Sequence, residues 1–328
     1  MTAVVQIVPA LPPPYEGVSG AALALAGALS ARCGIETKFV TGAATRTAEA
    51  LLTALEAEDT PRVLLHYANY GYHRRGCPFW LVEGLRRWQQ RGASRKLITL
   101  FHEVWATGPP WRSSFWLFPL QKRLAAVLAR LSVGMVTSLE LYARMVGSWA
   151  GNRPVRVMPI ASTIGEPLAA PSLAERAPRL AVFGGAGVRA RAWTREAAAL
   201  AAACRELGIE EIVDIGPPAG APQRLGGLPV REMGVLPAAE VAAVLLGSRA
   251  GFVSYPPPFL PKSGIFAAYC SHGVVPVCAW SRRARPAGPL PPFWRLGLDP
   301  AEVAQRARAW YGEHDLARQA EVFRELLA

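Results

Sequence analysis

The chain has 328 residues, 51% of them hydrophobic and 18% charged, so it carries enough apolar surface to offset the entropy of folding and is not a disordered chain. This length predicts two domains or one large one. The formal net charge of +12 is compatible with a nucleotide, a nucleic acid or an anionic membrane as partner, although a coding bias towards arginine and alanine would give the same excess.

The five cysteines are scattered and include no CxxC pair, which favours reduced thiols in the cytoplasm. The first residues lack the basic region of a signal peptide. The longest uncharged run, Ser263 to Ser281, contains a histidine, two glycines and a proline, so it is a poor candidate for a membrane span. We expect a cytoplasmic protein, with contact to the inner face of a membrane as an open alternative.

In the first half of the chain, short apolar runs alternate with helical patterns. A β-branched run predicts a buried strand at Val4–Val8, and a glycine-bearing loop leads into a predicted helix at Ala21–Arg32. This order is the start of a parallel α/β unit. The other elements predicted here are strands at 62–66, 96–102, 134–137 and 155–158, and helices at 78–91 and 120–131.

The second half repeats this organisation after a segment broken by prolines and glycine, 161–178, which predicts a linker. The elements predicted beyond it are strands at 180–183, 211–215, 250–254 and 274–278, helices at 197–207, 237–246 and 264–271, and one or two helices in 300–327. We therefore predict an α/β fold with domains at 1–160 and 179–328, the last helix being able to pack back on the N-terminal domain. Open parallel sheets bind ligands at the carboxyl ends of their strands, so two sheets facing each other would form a central cleft.

A glycine-containing segment, Glu16-Gly17-Val18-Ser19-Gly20, follows the first strand. Glycines at this point let backbone amides approach a phosphate at a helix N-terminus. The segment does not match the dinucleotide pattern GxGxxG. It predicts a phosphate loop at Gly17, Ser19 and Gly20, with the alternative that Ser19 only caps the helix.

Histidines end two predicted strands, His66 and His102, and His102 is followed by Glu103. A histidine at the carboxyl end of a strand points towards the ligand edge, where it can donate a hydrogen bond or act as a general base. We take His102 as the catalytic candidate, and His66 and His73 as structural. Their spacing does not suggest a zinc site.

The second half opens with Phe183-Gly184-Gly185-Ala186-Gly187 and two arginines, Arg189 and Arg191. The glycines permit close backbone approach, and the arginines can neutralise a diphosphate. The alternative is a flexible turn with solvated arginines.

A last candidate segment runs from Tyr255 to Val277. Lys262, one of four lysines, and Ser263 precede a predicted helix, and a cation beside a helix N-terminus makes an anion site. Gly273 is placed to close the same helix. The alternative is that the whole segment belongs to the core.

These features together resemble a GT-B glycosyltransferase, closest in layout to the family 4 type. The resemblance rests on the Gly17–Gly20 segment, the strand-end His102, Phe183-Gly184-Gly185, Gly234-Val-Leu-Pro237 and the block Lys262–Val277. It implies two Rossmann-like domains with parallel sheets facing a central cleft, an acceptor-side N-terminal domain, a C-terminal donor domain, and no metal or other cofactor.

The resemblance also implies roles for residues. The nucleotide-sugar diphosphate would contact Arg189 or Arg191. The predicted donor-binding residues are Gly184, Gly185, Arg189, Arg191, Tyr255, Lys262 and Ser263, and Glu103 and Trp105 are predicted on the acceptor side. The predicted function is metal-independent transfer of a sugar from a nucleotide-diphosphate donor to a glycan or lipid-linked acceptor.

The sequence departs from family 4 at two positions. That family carries two glutamates eight positions apart, which fall near Leu260 and Ala268, and no acidic residue occurs between Glu240 and Asp299. A non-catalytic nucleotide-sugar-binding or assembly protein on the same fold therefore stays an alternative. A nucleic-acid binder is not favoured, because no recognised module or aromatic-basic repeat is present.

Five aromatic residues lie between positions 105 and 118: Trp105, Trp111, Phe115, Trp116 and Phe118. The predicted helix after them carries Lys122, Arg123 and Arg130. Tryptophan near basic residues is the composition of an interfacial membrane anchor. The alternative is that these rings pack on the first sheet or line an acceptor groove.

Overall fold

The computed structural model describes residues 2–11, 17–58, 60–106, 108–284 and 286–328. The chain forms two compact units, Met1–Pro159 with Leu316–Ala328, and Ile160–Asp315. Each unit is built on a six-stranded, mainly parallel sheet, as the alternating pattern predicts.

The first sheet is parallel throughout and has the strand order β2-β1-β3-β4-β5-β6. Its strands are β1 (Thr2–Val8), β2 (Ile35–Thr41), β3 (Arg62–Ala68), β4 (Lys96–Glu103), β5 (Gly134–Thr137) and β6 (Arg156–Val157). The central strands read as nearly continuous apolar runs because helices cover both faces of such a sheet.

Eight helices belong to the described part of the first unit. They are α1 (Gly17–Cys33), α2 (Gly42–Thr45), α3 (Ala48–Glu56), α4 (Asn69–Tyr72), α5 (Phe79–Gln90), α6 (Ser113–Leu131), α7 (Glu140–Trp149) and α13 (Leu316–Leu327). The C-terminal α13 packs beside α1, and Phe323 lies fully buried against Leu29 and Leu64. The end of the chain therefore completes the core of the first unit.

The second sheet has the order β12-β11-β7-β8-β10-β9 and is parallel except for the β9–β10 pair. Its strands are β7 (Ala177–Phe183), β8 (Glu211–Ile215), β9 (Arg224–Leu225), β10 (Leu228–Gly234), β11 (Ser248–Ser254) and β12 (Val275–Ala279). Its helices are α8 (Ala186–Trp193), α9 (Ala197–Glu206), α10 (Ala238–Leu246), α11 (Gly264–Ser271) and α12 (Pro300–Gly312). Short 3₁₀ helices occupy Leu173–Glu175 and Pro257–Lys262.

Helix α6 differs most from its predicted bounds. It begins at Ser113 and not at Leu120, and it contains Pro119 in its interior. A proline there removes one backbone donor, which is why the sequence suggests a boundary. Three of the aromatic residues singled out above therefore lie on the helix itself.

The five cysteines are free thiols. Within the described part of the chain, no helix is both long and apolar enough to cross a membrane.

Candidate functional site

A β-bulge places His102 at the carboxyl edge of the first sheet. Tyr67 pairs with Phe101, but the next pair is Ala68 with Glu103, so His102 is an additional residue in β4. Bulges re-aim a side chain and occur next to active sites. The bulge is thus the local feature that turns the His102 ring towards β3.

The His102 ring contacts the His66 ring. His102 Nε2 lies 3.1 Å from His66 Nδ1, and the stacked rings have centroids 5.4 Å apart. Only 7% of the His102 surface is exposed, so this residue is less open than its strand-end position suggests. Burial lowers the pKa of His66 to about 3, which keeps that ring neutral.

The contact continues across the sheet as a line of hydrogen bonds. His66 Nε2 lies 2.8 Å from Gln6 Oε1, and Gln6 Nε2 donates to Thr37 Oγ1 at 3.2 Å. Four adjacent strands thereby contribute one polar side chain each. The sequence carries a signal for this arrangement, because Gln6 interrupts the apolar run Val4–Val8 and His66 directly follows the apolar run Val63–Leu65.

The predicted phosphate loop at the start of α1 is helical. Helix α1 begins at Gly17, which has a φ of 49°, so Gly17, Ser19 and Gly20 form its first turn. The Ser19 hydroxyl donates to the Ala10 carbonyl at 2.6 Å and does not cap the helix. Glu16 lies outside the described residues.

The two predicted acceptor-side residues have different surroundings. Glu103 is exposed at the end of β4. The Trp105 ring packs against Tyr142 and Trp149 of α7, with centroids 5.8 and 6.3 Å away, and Lys122 Nζ lies 4.8 Å above it. Trp105 therefore belongs to an aromatic cluster that links β4, α6 and α7.

In the second unit, the turn between β7 and α8 is tightly packed. Gly184 has a φ of 124°, and its carbonyl accepts a hydrogen bond from Arg189 Nε at 2.8 Å. A β-carbon at Gly216, which follows β8, would overlap that carbonyl oxygen. By contrast, β-carbons at Gly185 and Gly187 would meet no atom within 4 Å, so this side of the turn is open.

Arg189 and Arg191, the two arginines predicted to contact the diphosphate, lie on different faces of helix α8. Arg189 is fully buried and forms an ion pair with Asp214 at the end of β8. Arg191 is half-buried, with its guanidinium 5.7 Å from the centre of the Trp280 ring. Residues two apart on a helix do not share a face. Of the two arginines, only Arg191 has surface that a ligand can reach.

The segment from Tyr255 to Gly273 is organised around the start and the end of α11. Ser263 is the N-cap, and its hydroxyl accepts from the Phe266 amide at 3.3 Å. Lys262 ends the 3₁₀ helix before it, and Tyr255 follows β11. Gly273 has a φ of 63° and closes the helix, with the Val274 amide bonded to the Tyr269 carbonyl, as the sequence predicts.

The positions of the two family glutamates lie in the core. Leu260 and Ala268 are both buried. Acidic groups at the carboxyl ends of the second sheet's strands come instead from Asp214 in β8 and from Glu196. Glu196 accepts hydrogen bonds from the Ser281 amide at 2.9 Å and the Ser281 hydroxyl at 2.8 Å, just after β12. Burial raises the pKa of the Asp214 carboxyl, against the opposing effect of Arg189. Within the described ranges, no group of histidine, cysteine, aspartate and glutamate side chains could hold a metal ion.

Comparison with known proteins finds no matching family model and no matching curated sequence. Solved structures do match. An alpha-glucosyltransferase (AGT) in complex with UDP aligns over 100% of both chains with a TM-score of 0.64 at 10% identity. An alpha-glucosyltransferase in complex with UDP-glucose and DNA containing an abasic site aligns over 100% of both chains with a TM-score of 0.61 at 10% identity.

Two further glycosyltransferases align over essentially the whole chain. AviGT4, involved in avilamycin A biosynthesis, has a TM-score of 0.56 at 14% identity, covering 100% of this chain and 97% of that one. WaaG, involved in lipopolysaccharide biosynthesis, has a TM-score of 0.51 at 9% identity, covering 100% of both chains. With its two six-stranded α/β units, this chain has the GT-B fold of these glycosyltransferases.

Proposed function

We propose that the protein is a glycosyltransferase that moves a sugar from a nucleotide-diphosphate donor to a glycan or lipid-linked acceptor without a metal ion. The observation that carries the proposal is the open glycine turn at the start of α8, followed by the reachable Arg191, on a GT-B fold. The structural neighbours bound to UDP support a nucleotide-sugar donor.

The donor diphosphate would lie over Gly185 and Gly187. The first amides of a helix have no carbonyl partner within it and carry the positive end of the helix dipole, which suits a phosphate. Arg191 would add a charge-assisted hydrogen bond, and Lys262, Ser263 and Tyr255 would contribute from the adjacent β11–α11 segment. Arg189 would act indirectly, by holding the Gly184 carbonyl and thus the turn.

These groups would also promote the reaction. When the bond between the sugar and the diphosphate breaks, negative charge develops on the leaving oxygen. Arg191, Lys262 and the α8 dipole would stabilise that charge, which is the role a divalent cation plays in other transferases. His102 would take the proton of the acceptor hydroxyl, with Glu103 and Trp105 on the acceptor side.

The test is to incubate the purified protein with a panel of nucleotide sugars and with glycan, lipid-linked saccharide and duplex DNA acceptors, and to follow products by mass spectrometry in the presence of EDTA. Arg191→Ala should weaken UDP binding by about 1.5–3 kcal/mol, as measured by calorimetry. Arg205→Ala, an exposed arginine on α9, is the matched control and should leave the affinity unchanged. Equal UDP affinity of Arg191→Ala and the wild type would contradict the proposed donor site.

The second candidate is a nucleotide-sugar-binding protein without transferase activity. It is favoured by Leu260 and Ala268, which are apolar and buried where family 4 carries its glutamates. Tight donor binding with neither transfer nor donor hydrolysis across the acceptor panel would select this candidate.

A further inference from the structure

We propose that Gln6 and His66 are positioning residues that fix the protonation of His102, with the proton on Nε2 and the lone pair on Nδ1. This inference deepens the proposed function, because it concerns the residue that would act as general base. It stands on the line of hydrogen bonds that crosses strands β2, β1, β3 and β4.

The direction of the line follows from the orientation of the Gln6 amide. Its Nε2 donates to Thr37 Oγ1 at 3.2 Å, so its Oε1 is the atom that faces His66 Nε2 at 2.8 Å. A carbonyl oxygen only accepts, and His66 must therefore carry its proton on Nε2. A neutral imidazole protonated on Nε2 has an unprotonated Nδ1 that can accept a hydrogen bond.

His102 is the donor to that nitrogen. His66 Nδ1 and His102 Nε2 are 3.1 Å apart, a hydrogen-bond distance, so His102 Nε2 carries a proton that points at His66. In the neutral His102 ring, the lone pair then resides on Nδ1. This assignment of protons holds because His66 is fully buried and stays neutral. A neutral imidazole cannot donate a hydrogen bond from both ring nitrogens at once.

This arrangement suits a base that takes a proton from an alcohol. The acceptor oxygen would form its bond to the sugar carbon while the bond to the diphosphate oxygen breaks and its electron pair leaves with the diphosphate. The hydroxyl proton would pass to His102 Nδ1. The resulting imidazolium would keep its Nε2 proton bonded to His66, which supports the cation through a second imidazole in place of the more usual carboxylate.

The decisive experiment is nitrogen NMR on protein labelled with ¹⁵N-histidine, which has five histidines to assign. We expect both His66 and His102 to be protonated on Nε2 and a ¹⁵N–¹⁵N coupling across the hydrogen bond between His102 Nε2 and His66 Nδ1. The opposite order, with protons on Nδ1 of both rings, or the absence of the coupling would overturn the proposal. This readout requires neither a substrate nor a variant.

Kinetics provides the second test, once a donor and an acceptor are identified. His66→Leu should lower kcat by about 10–100-fold with little change in the donor KM. A loss of this size is usual when the residue that orients a site side chain is removed. His66→Asn, whose side-chain oxygen can still accept from His102, should restore part of the loss. His73→Asn, an exposed histidine in the same unit, is the matched control.

The outcomes separate the two proposals. Unchanged kcat in folded His66→Leu would overturn the positioning role and leave the transferase function intact. Absence of transfer by the wild type with any donor would overturn the proposed function. The ¹⁵N–¹⁵N coupling would still show which nitrogens of His66 and His102 carry the protons.

Discussion

Arg189 and Asp214 form an ion pair that is closed to solvent, with 0% and 1% of their side chains exposed. Arg189 also donates to the Gly184 carbonyl, so the pair ties the end of β8 to the turn between β7 and α8. The Gly184 carbonyl that Arg189 holds directly precedes Gly185, the first of the two open glycines of the proposed donor site. The energetic contribution of the pair therefore concerns the shape of the site as well as the stability of the second unit.

Replacing one member of this pair should destabilise the protein strongly. Arg189→Met leaves the Asp214 carboxylate buried without its partner, which costs about 3–5 kcal/mol. The double variant Arg189→Met/Asp214→Leu removes both charges and should regain most of that loss. Urea unfolding followed by circular dichroism measures both. If Arg189→Met kept wild-type stability and lost only UDP affinity, Arg189 would be a direct ligand of the diphosphate.

The sequence predicts the strands and helices best where apolar periodicity and caps agree. Strand β8 and helix α11 have the predicted bounds, because β8 is a short apolar run and α11 lies between Ser263 and Gly273. Strand β10 was not predicted, since its side chains alternate between half-buried and exposed and include Arg231 and Glu232. Its place in the sheet comes from pairing with β8, which is a long-range contact.

The candidate site shows the same division. His102 and the glycine turn after β7 could be proposed as candidates because they lie at the carboxyl ends of predicted strands. The partners of the site residues could not, because Asp214 is 25 positions from Arg189 and Gln6 is 60 positions from His66. The helical state of α8 likewise depends on Ala192 and Trp193 packing into the core, which overrides the glycines at its start.

Arg176 should be a major contributor to the stability of the second unit. Its buried guanidinium donates to the carbonyls of Pro171, Ser248 and His272 at 2.9–3.1 Å. Burial lowers the pKa of Arg176 to about 10, so the group stays charged at neutral pH. A lysine cannot reach these divergent acceptors with one ammonium group.

We expect Arg176→Lys to lower the free energy of unfolding by about 2–4 kcal/mol. The control is Arg156→Lys, which changes an exposed arginine that pairs with Glu325 at 3.3 Å and should shift stability by less than about 0.5 kcal/mol. Urea unfolding of the three proteins at pH 7.5 provides the comparison. Equal stability of both variants would show that the buried carbonyls find other donors, such as water.

Stability should fall as the pH is lowered from about 7 to about 5. Burial lowers the pKa of His272 and of His314 to about 4, and that of His66 to about 3, from 6.5 in the unfolded chain. The unfolded state therefore binds more protons below pH 6.5, and unfolding becomes easier. Each buried histidine should cost about 2 kcal/mol between pH 7.5 and pH 5.

His272→Asn tests this pH dependence, since asparagine retains a donor for the Ala268 carbonyl that His272 Nδ1 contacts at 2.8 Å. The difference in unfolding free energy between pH 7.5 and pH 5 should shrink by about 2 kcal/mol in this variant. His73→Asn, at an exposed position, should leave the difference unchanged. An identical pH dependence in all three proteins would mean that His272 is not kept neutral in the folded state.

Two tryptophans before and within α6 are the most exposed rings of the aromatic segment. Trp111 and Trp116 are 83% and 71% exposed. The Lys122 ammonium lies 4.8 and 5.0 Å from the centroids of the Trp105 and Phe118 rings. Lys122 therefore already interacts with two aromatic rings of the protein itself. Arg112, next to Trp111 in the sequence, and Arg123, two turns after Trp116 on α6, are exposed cations of this segment. Exposed tryptophan beside arginine is the composition of a surface that binds at the headgroup level of an anionic bilayer.

We predict that the protein floats with vesicles containing anionic lipid at low salt, and that Trp111→Ser/Trp116→Ser weakens this partitioning at least about tenfold, because two rings lose their insertion into the interface. Arg112→Gln should weaken binding further and reduce its dependence on salt, since each arginine near the surface contributes about 1 kcal/mol.

Phe79→Ser, which replaces another exposed ring of the first unit, 54% exposed at the start of α5, is the matched control and should float like the wild type. Calorimetric Tm values of all variants must agree with the wild type for the comparison to hold. Equal, negligible flotation of the wild type and the double variant on anionic and neutral vesicles would eliminate the membrane surface and direct the search for the acceptor to glycans and peptides in solution.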